Sequence, residues 1–159
     1  MRKGVFAGSF DPLTMGHMDI IKRACDMFDE VYVSVLVNSS KRTMFTIEER
    51  TDMIKKAVEA EKLSNVKVSC SDGLLVEHTR ELGARYIIRG LRNSMDFEYE
   101  RQLEYMNKRI DCGIETVYIM SAPEHIALSS SAVKELVSYK ADIKGLVPEV
   151  NREYIENKK

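Results

Sequence analysis

Five short apolar runs, each followed by a stretch of helical period, constrain this chain more than any other feature. The runs are Val5-Phe6-Ala7, Val31 to Val37, Val66 to Cys70, Arg85 to Arg89 and Thr116 to Met120. The second is β-branched and nearly continuous in apolarity, as expected for a strand buried on both faces. Between and after the runs, apolar residues recur at one-face spacing: Ile20, Ile21, Ala24, Cys25 and Phe28; Ile47, Ile54, Ala57 and Val58; Leu74, Leu75, His78 and Leu82; Tyr99, Leu103, Met106 and Ile110; Val133, Leu136 and Val137. Strand–helix alternation with loops of a few residues predicts an α/β, Rossmann-like fold. Its five-stranded parallel sheet would have right-handed crossovers and helices on both faces. Residues 1–159 read as a single domain with a short C-terminal helical tail around Glu149 to Asn157.

Local signals place the helix ends. Thr46-Ile47-Glu48-Glu49 has capping-box spacing and predicts a helix to about Ala60. Asp72-Gly73 opens the next helix, and Gly83 suits the position just past its end. Asp96 is read as the cap of the fourth helix, and Ser129-Ser130-Ser131 as the cap of the fifth, with exposed hydroxyls.

Lys and Arg number 24 against 25 Asp and Glu, a formal net charge of -1. That balance gives no general drive toward nucleic acid or anionic membrane, so any anion site must be built locally. No apolar run approaches the roughly 20 residues of a membrane span. The chain enters a strand-like run almost at once, which leaves no room for a signal peptide, and a cytoplasmic location is expected. Cys25, Cys70 and Cys112 show no C-x-x-C spacing and are expected as reduced core or near-core residues. His17, His78 and His125 form no i, i+3 or i+4 pair, so no metal site is expected from protein side chains alone. His78, among apolar neighbours, is read as a packing residue.

In a parallel sheet of this kind, ligands bind beyond the carboxyl ends of the strands. The unusual polar residues obey that rule. Ser9 to His17 follow the first strand, Ser39 to Arg42 the second, Arg89 to Arg92 the fourth and Ser129 to Ser131 the fifth. Gly8 and Gly16 permit close backbone approach, Ser9, Thr14 and His17 can donate, and a helix N-terminus favours phosphate. Glu100 is placed to face the same pocket as Arg92. Cations are plentiful there, whereas no serine has a histidine and carboxylate at suggestive spacing. Neither G-x-x-x-x-G-K-[ST] nor G-x-G-x-x-G is present. Many cations without a covalent nucleophile suit direct phosphoryl or nucleotidyl transfer, in which the protein positions an anionic nucleophile and spreads charge.

Gly8-Ser9-Phe10-Asp11-Pro12 with Thr14-Met15-Gly16-His17 resembles the T/H-x-G-H signature of the nucleotidyltransferase superfamily. Together with Ile88 to Arg92, Asp96 to Glu100, and Ser129-Ser130-Ser131 with Lys134-Glu135, the chain from about residue 3 to 150 resembles the bacterial phosphopantetheine adenylyltransferases. The resemblance implies transfer of AMP from ATP to 4′-phosphopantetheine by direct attack, giving dephospho-coenzyme A and pyrophosphate. It implies Mg²⁺ travelling with ATP, and a homohexamer. His17 resembles the transition-state stabiliser at the α-phosphate, with Lys41 and Arg92 as its catalytic companions. Ser9, Lys41, Leu75 and Arg89 resemble the phosphopantetheine contacts. Ser9, Phe10, His17, Gly90, Leu91, Arg92, Glu100 and the segment His125, Ile126, Ala127, Leu128, Ser129, Ser130 and Ser131 resemble the ATP contacts. Ser9 is expected where the two phosphate groups meet.

There are two departures. Ser9 stands where many members have threonine, and His125-Ile126-Ala127 replaces an aromatic residue followed by Ser-Phe. No side-chain role is therefore carried to Ile126 or Ala127. The competing readings are another small nucleotidyltransferase with a different phosphorylated acceptor and a nucleotide-binding module without catalysis. The Arg89 to Arg92 and Asp96 to Glu100 combination speaks against the first, and intact His17, Lys41 and Arg92 against the second.

Overall fold

The computed structural model describes residues 1–37 and 42–158. Its strands are β1 (Lys3–Gly8), β2 (Glu30–Leu36), β3 (Val66–Ser71), β4 (Tyr86–Leu91) and β5 (Glu115–Met120). The helices are α1 (Met15–Met27), α2 (Ile47–Ala60), α3 (Leu75–Glu81), α4 (Ser94–Ile110), α5 (Ser130–Ser138) and α6 (Glu149–Glu156), with a 3₁₀ turn at Pro123–His125. All pairings are parallel and the strand order is β3-β2-β1-β4-β5. The expected five-stranded α/β fold is the one found. The order reverses between β1 and β4, the topological switch point at which such sheets bind ligands.

Strand alternation divides the core. Phe6, Val31, Val33, Val35, Ile88 and Ile119 join Ile20, Ile21, Ala24, Ile54 and Ala57 of α1 and α2 in one cluster. Val5, Ala7 and Tyr32 pack with Ala84 on the other side, and Ile87 meets Val76 of α3 there. A Cβ at Gly90 would lie 3.2 Å from Cγ1 of Ile20, so the glycine lets α1 lie close over β4. Thr46 and Glu49 form the expected capping box at the start of α2. Gly83, at φ 64, follows α3 in the left-handed conformation that ends a helix. His78 is buried as expected, its Nε2 3.2 Å from the hydroxyls of both Ser34 and Ser69.

A third cluster joins the C-terminal segment to the body: Phe45 and Met53 pack against Val133, Val137, Ile143, Val147 and Ile155. The buried Asn151 amide donates to Met53 O at 2.9 Å. The tail is therefore seated on α2 and α5, with a consequence for α1 described below.

Three expectations need correction. Cys70 and Cys112 are exposed and only Cys25 is partly buried: Cys70 lies near the end of β3, an edge strand of the sheet, and Cys112 in the turn between α4 and β5. Asn93, not Asp96, caps α4: its Oδ1 accepts from Asp96 N at 2.9 Å, which places Asp96 inside the first turn. The apolar stripe of α4 does not face the sheet. Tyr99, Met106 and Ile110 are 61%, 59% and 53% exposed, and no residue of α4 is buried. Its acidic face turns inward instead, where Glu100 meets Arg89 and Glu104 accepts from the Tyr118 hydroxyl at 3.0 Å. Burial, with the Glu104 bond second, pushes the Tyr118 phenol up to about 12, so that hydroxyl stays a donor throughout the physiological range.

Candidate active site

The loop from Ser9 to Thr14 links β1 to α1 and is tied down at every polar atom that matters. Phe10 adopts φ 45, unfavourable for an aromatic residue by about 1–3 kcal/mol. Its ring is buried, and edge-on contacts to Phe6 and His17, with centroids 5.5 and 5.1 Å apart, offset that cost. Asp11 is buried and accepts from Met44 N at 3.0 Å, Phe45 N at 2.9 Å and Lys134 Nζ at 2.9 Å. Arg50 donates to Ser9 O at 2.8 Å, and the Ser130 hydroxyl to Pro12 O at 2.8 Å. One loop thereby holds together β1, the segment entering α2, and α5.

The first turn of α1 carries His17. Thr14 is its N-cap, taking His17 N–H on Oγ1 at 3.3 Å, while Thr14 N donates to His17 Nδ1 at 3.0 Å. The tail contributes here, because Leu146 O accepts from Met15 N at 2.9 Å. A Cβ at Gly16 would lie 3.5 Å from Cβ of His125, so the 3₁₀ turn passes close to the first turn of α1. Burial first, and the Arg92 guanidinium second, lower the His17 imidazole to about 4, so it is neutral at pH 7. The unfolded chain binds this proton near pH 6.5 and the folded chain only near 4. The contribution to stability is therefore complete above about pH 6.5 and is lost as pH falls toward 4. With His17 partly exposed, we expect the unfolding free energy of the wild type to fall by about 2 kcal/mol relative to that of His17→Gln from pH 7 to pH 4, measured by urea titration. An unchanged difference would show that His17 does not titrate on unfolding.

Across the switch point stand the arginines of β4. The β1–β4 ladder ends at Phe6 and Ile88, and Arg89 Nη1 then takes Ala7 O at 2.9 Å. Arg89 also forms a two-pronged pair with Glu100, Nε to Oε2 at 2.7 Å and Nη2 to Oε1. These bonds use three of the five guanidinium N–H groups, so two remain for an anion. Glu100, expected to face the same pocket as Arg92, pairs with Arg89. Arg92 pairs with Asp96, Nε to Oδ2 at 2.9 Å, and this bond holds the Asp96 carboxyl below the usual carboxylate range.

The other anticipated residues fall into two groups. Ser9 and Ser131 are exposed, and Ile126, 48% exposed, stands with Ala127 on the surface after the 3₁₀ turn. Phe10 and Leu91 are buried, so their side chains belong to the core and only their backbone can meet a ligand. Leu128 is partly buried against the tail cluster, and Leu75, opening α3, is partly buried against β1. Ser129 caps α5 by accepting from Ala132 N at 3.1 Å, and Ser130 is bound to Pro12, so two of the three serine hydroxyls expected to be exposed are engaged. Lys41 lies outside the described residues. Asp11, Arg50 and Lys134 stood inside or beside the motifs without an assigned role; nothing in their spacing reveals that they meet.

The fold, the switch-point loops and the α1 histidine define the class. A cytidylyltransferase-like family model matches residues 5–136, and the chain belongs to that family. It is 51% identical over 148 residues to the phosphopantetheine adenylyltransferase of Clostridium novyi (strain NT), covering 93% of this chain and 91% of the relative. It is 46% identical over 150 residues to the phosphopantetheine adenylyltransferase of Alkaliphilus metalliredigens (strain QYMF), covering 94% of each. A solved structure from Vibrio parahaemolyticus, provisionally assigned as a nicotinate-nucleotide adenylyltransferase, superposes with a TM-score of 0.76 over 99% of this chain and 100% of its own. At 19% identity that likeness bears on the fold alone.

Proposed function

We propose that this chain transfers AMP from ATP to 4′-phosphopantetheine, releasing pyrophosphate and forming dephospho-coenzyme A in the penultimate step of coenzyme A synthesis. Two relatives of that name, each matched over nine-tenths of its length, support the acceptor. The observation that carries the chemistry is the placement of His17 and Arg92 on the two sides of the β1–β4 switch point. A phosphate oxygen of the acceptor attacks the α-phosphorus in line, and the bond to the bridging oxygen breaks as pyrophosphate departs. The reacting groups are anionic, so the protein's task is alignment and charge dispersal.

In this reading Ser9 and Arg89, with Lys41, hold the acceptor phosphate, and Leu75 meets the pantetheine arm. Arg92, Glu100, the Gly90-Leu91 backbone and residues 125–131 hold ATP. Mg²⁺ would be carried on the triphosphate, because the nearby carboxylates already have partners: Asp11 on Lys134, Asp96 on Arg92 and Glu100 on Arg89. When bound, the ion neutralises phosphate charge. The test is pyrophosphate release with ATP and Mg²⁺ across several phosphorylated acceptors. The expected result is turnover with 4′-phosphopantetheine at least tenfold above the others, and turnover confined to another acceptor would reassign the enzyme.

A homohexamer and a cytoplasmic location belong to the same proposal. No helix among the described residues is long and apolar enough to cross a membrane. The outward stripe of α4, with Tyr99, Met106 and Ile110 more than half exposed, supports contact with another copy. Light scattering is expected to give six chains for the wild type and fewer for Met106→Glu. A wild-type monomer at micromolar concentration would refute the assembly.

A further inference from the structure

We propose that Asp19 and Arg23 of α1 are positioning residues that hold the segment between β5 and α5 at a fixed height along the helix, and through it set the affinity for ATP. The inference rests on the reading of residues 125–131 as an ATP-holding segment; the clamp itself follows from contacts within the chain.

Gly16, Asp19 and Arg23 stand at i, i+3 and i+7, so they share one face of α1 and spread over about 10 Å of its axis. The segment leaving β5 runs down that face toward the start of the helix. At its head, Arg23 Nη1 donates to Met120 O at 2.6 Å and to Asp19 Oδ2 at 3.2 Å, which uses both hydrogens of that nitrogen. The same Asp19 oxygen accepts from Ala122 N at 3.4 Å. One ion pair therefore grips the main chain on both sides of Ser121, the guanidinium taking the carbonyl before it and the carboxylate the N–H after it. Ser121 N itself donates to Leu91 O at 2.7 Å, extending the β4–β5 ladder by one bond. Lower on the face, a Cβ at Gly16 would lie 3.5 Å from His125 Cβ and 4.0 Å from Leu128 Cδ2, so the glycine leaves room for the segment to pass. The bond from the Ser130 hydroxyl to Pro12 O ends the run.

A surface ion pair at i, i+4 contributes little to stability by itself. Asp52 and Lys56 of α2, both more than half exposed, are the ordinary case. Asp19 and Arg23 differ because each also bonds main chain far along the sequence, 103 and 97 residues away. They fix the point at which the sheet hands the chain over to the ATP-holding segment. The helix that does so also carries His17, so one rigid element serves as the reference for both. Their bonds go to the head of the segment, so their loss should act on nucleotide binding more than on the chemical step.

The test is calorimetric titration of the intact protein with ATP alone and with 4′-phosphopantetheine alone. Arg23→Ala is expected to weaken ATP binding about tenfold, the worth of one charge-assisted bond, and to leave 4′-phosphopantetheine binding within about twofold. Asp19→Ala should do the same, and the double variant should lose little more than either single change, because the two side chains act as one clamp. Arg23→Lys keeps a donor for Met120 O and should bring ATP binding back to within about threefold of the wild type. In turnover assays the expected signature is a raised KM for ATP with kcat within about threefold. Equal weakening of both substrates would show a general loosening and overturn the proposal, as would unchanged ATP binding in either folded single variant. If Arg23→Ala does not fold, Asp19→Ala decides alone. A wild type that binds ATP yet turns over no phosphorylated acceptor would refute the proposed function and leave the clamp standing, whereas a wild type that binds no ATP would overturn both.

Discussion

Replacing His17 with alanine is expected to lower kcat for dephospho-coenzyme A formation by about 10²–10³, equivalent to about 2.7–4 kcal/mol, the usual cost of removing one preorganised oxyanion donor. The ring already sits in a fixed place before substrate arrives, held by the Thr14 bonds and by T-shaped packing against the Phe10 ring. Its removal should therefore act on the transition state more than on binding, leaving the KM for ATP within a few-fold. Folding should suffer by about 1 kcal/mol, the worth of half a capping box. Near-normal turnover in a folded His17→Ala enzyme would remove His17 from the chemistry. A matched loss in kcat and melting temperature would make its role structural.

Asp11→Ala is expected to be the most destabilising single change near the site, at about 3 kcal/mol, or a fall of about 6–12 °C in melting temperature. The carboxylate is buried and answers two backbone N–H groups and one ammonium. Its loss strands all three, although Lys134, with its side chain 33% exposed, can recover part of its hydration, which keeps the figure below that of a fully buried pair. The same cut frees the segment that follows Lys41 from the loop that carries Ser9, so turnover should fall as well. A double-mutant cycle with Lys134→Met separates the contributions. Because removing both partners leaves no stranded charge, the double variant should be more stable than the sum of the single losses by about 1 kcal/mol or more. Strict additivity would show that the pair contributes nothing.

Much of this molecule is legible along the chain because it depends on near neighbours. Strand runs, the Thr46 capping box and the Gly83 helix end each follow from a handful of consecutive residues, and the structure agrees with them closely. The parallel order follows in turn, since short loops between alternating elements leave few other topologies. The capping box at α1 was equally local: Thr14 and His17 stand three apart, the spacing of Thr46 and Glu49. It passes unnoticed because histidine is not the residue usual at that position.

The α4 stripe marks where local reading stops. Helical period shows that Tyr99, Met106 and Ile110 share a face, yet period cannot say toward what that face is turned. The sheet beneath offers Arg89 and the Tyr118 hydroxyl, which need acidic partners, so Glu100 and Glu104 turn inward and the apolar side turns out. The same holds for Asp11, whose partners lie 33, 34 and 123 residues away. Thus the sequence by itself determined the α/β order, the edge of the sheet that carries the candidate site and the residue types available there. Only the tertiary structure decided which cation met which carboxylate, which serine hydroxyls were consumed, and that the neutral His17 faces Arg92 across the switch point. Pairing of charges over long separations is a property of the packed sheet, and no spacing along the chain encodes it.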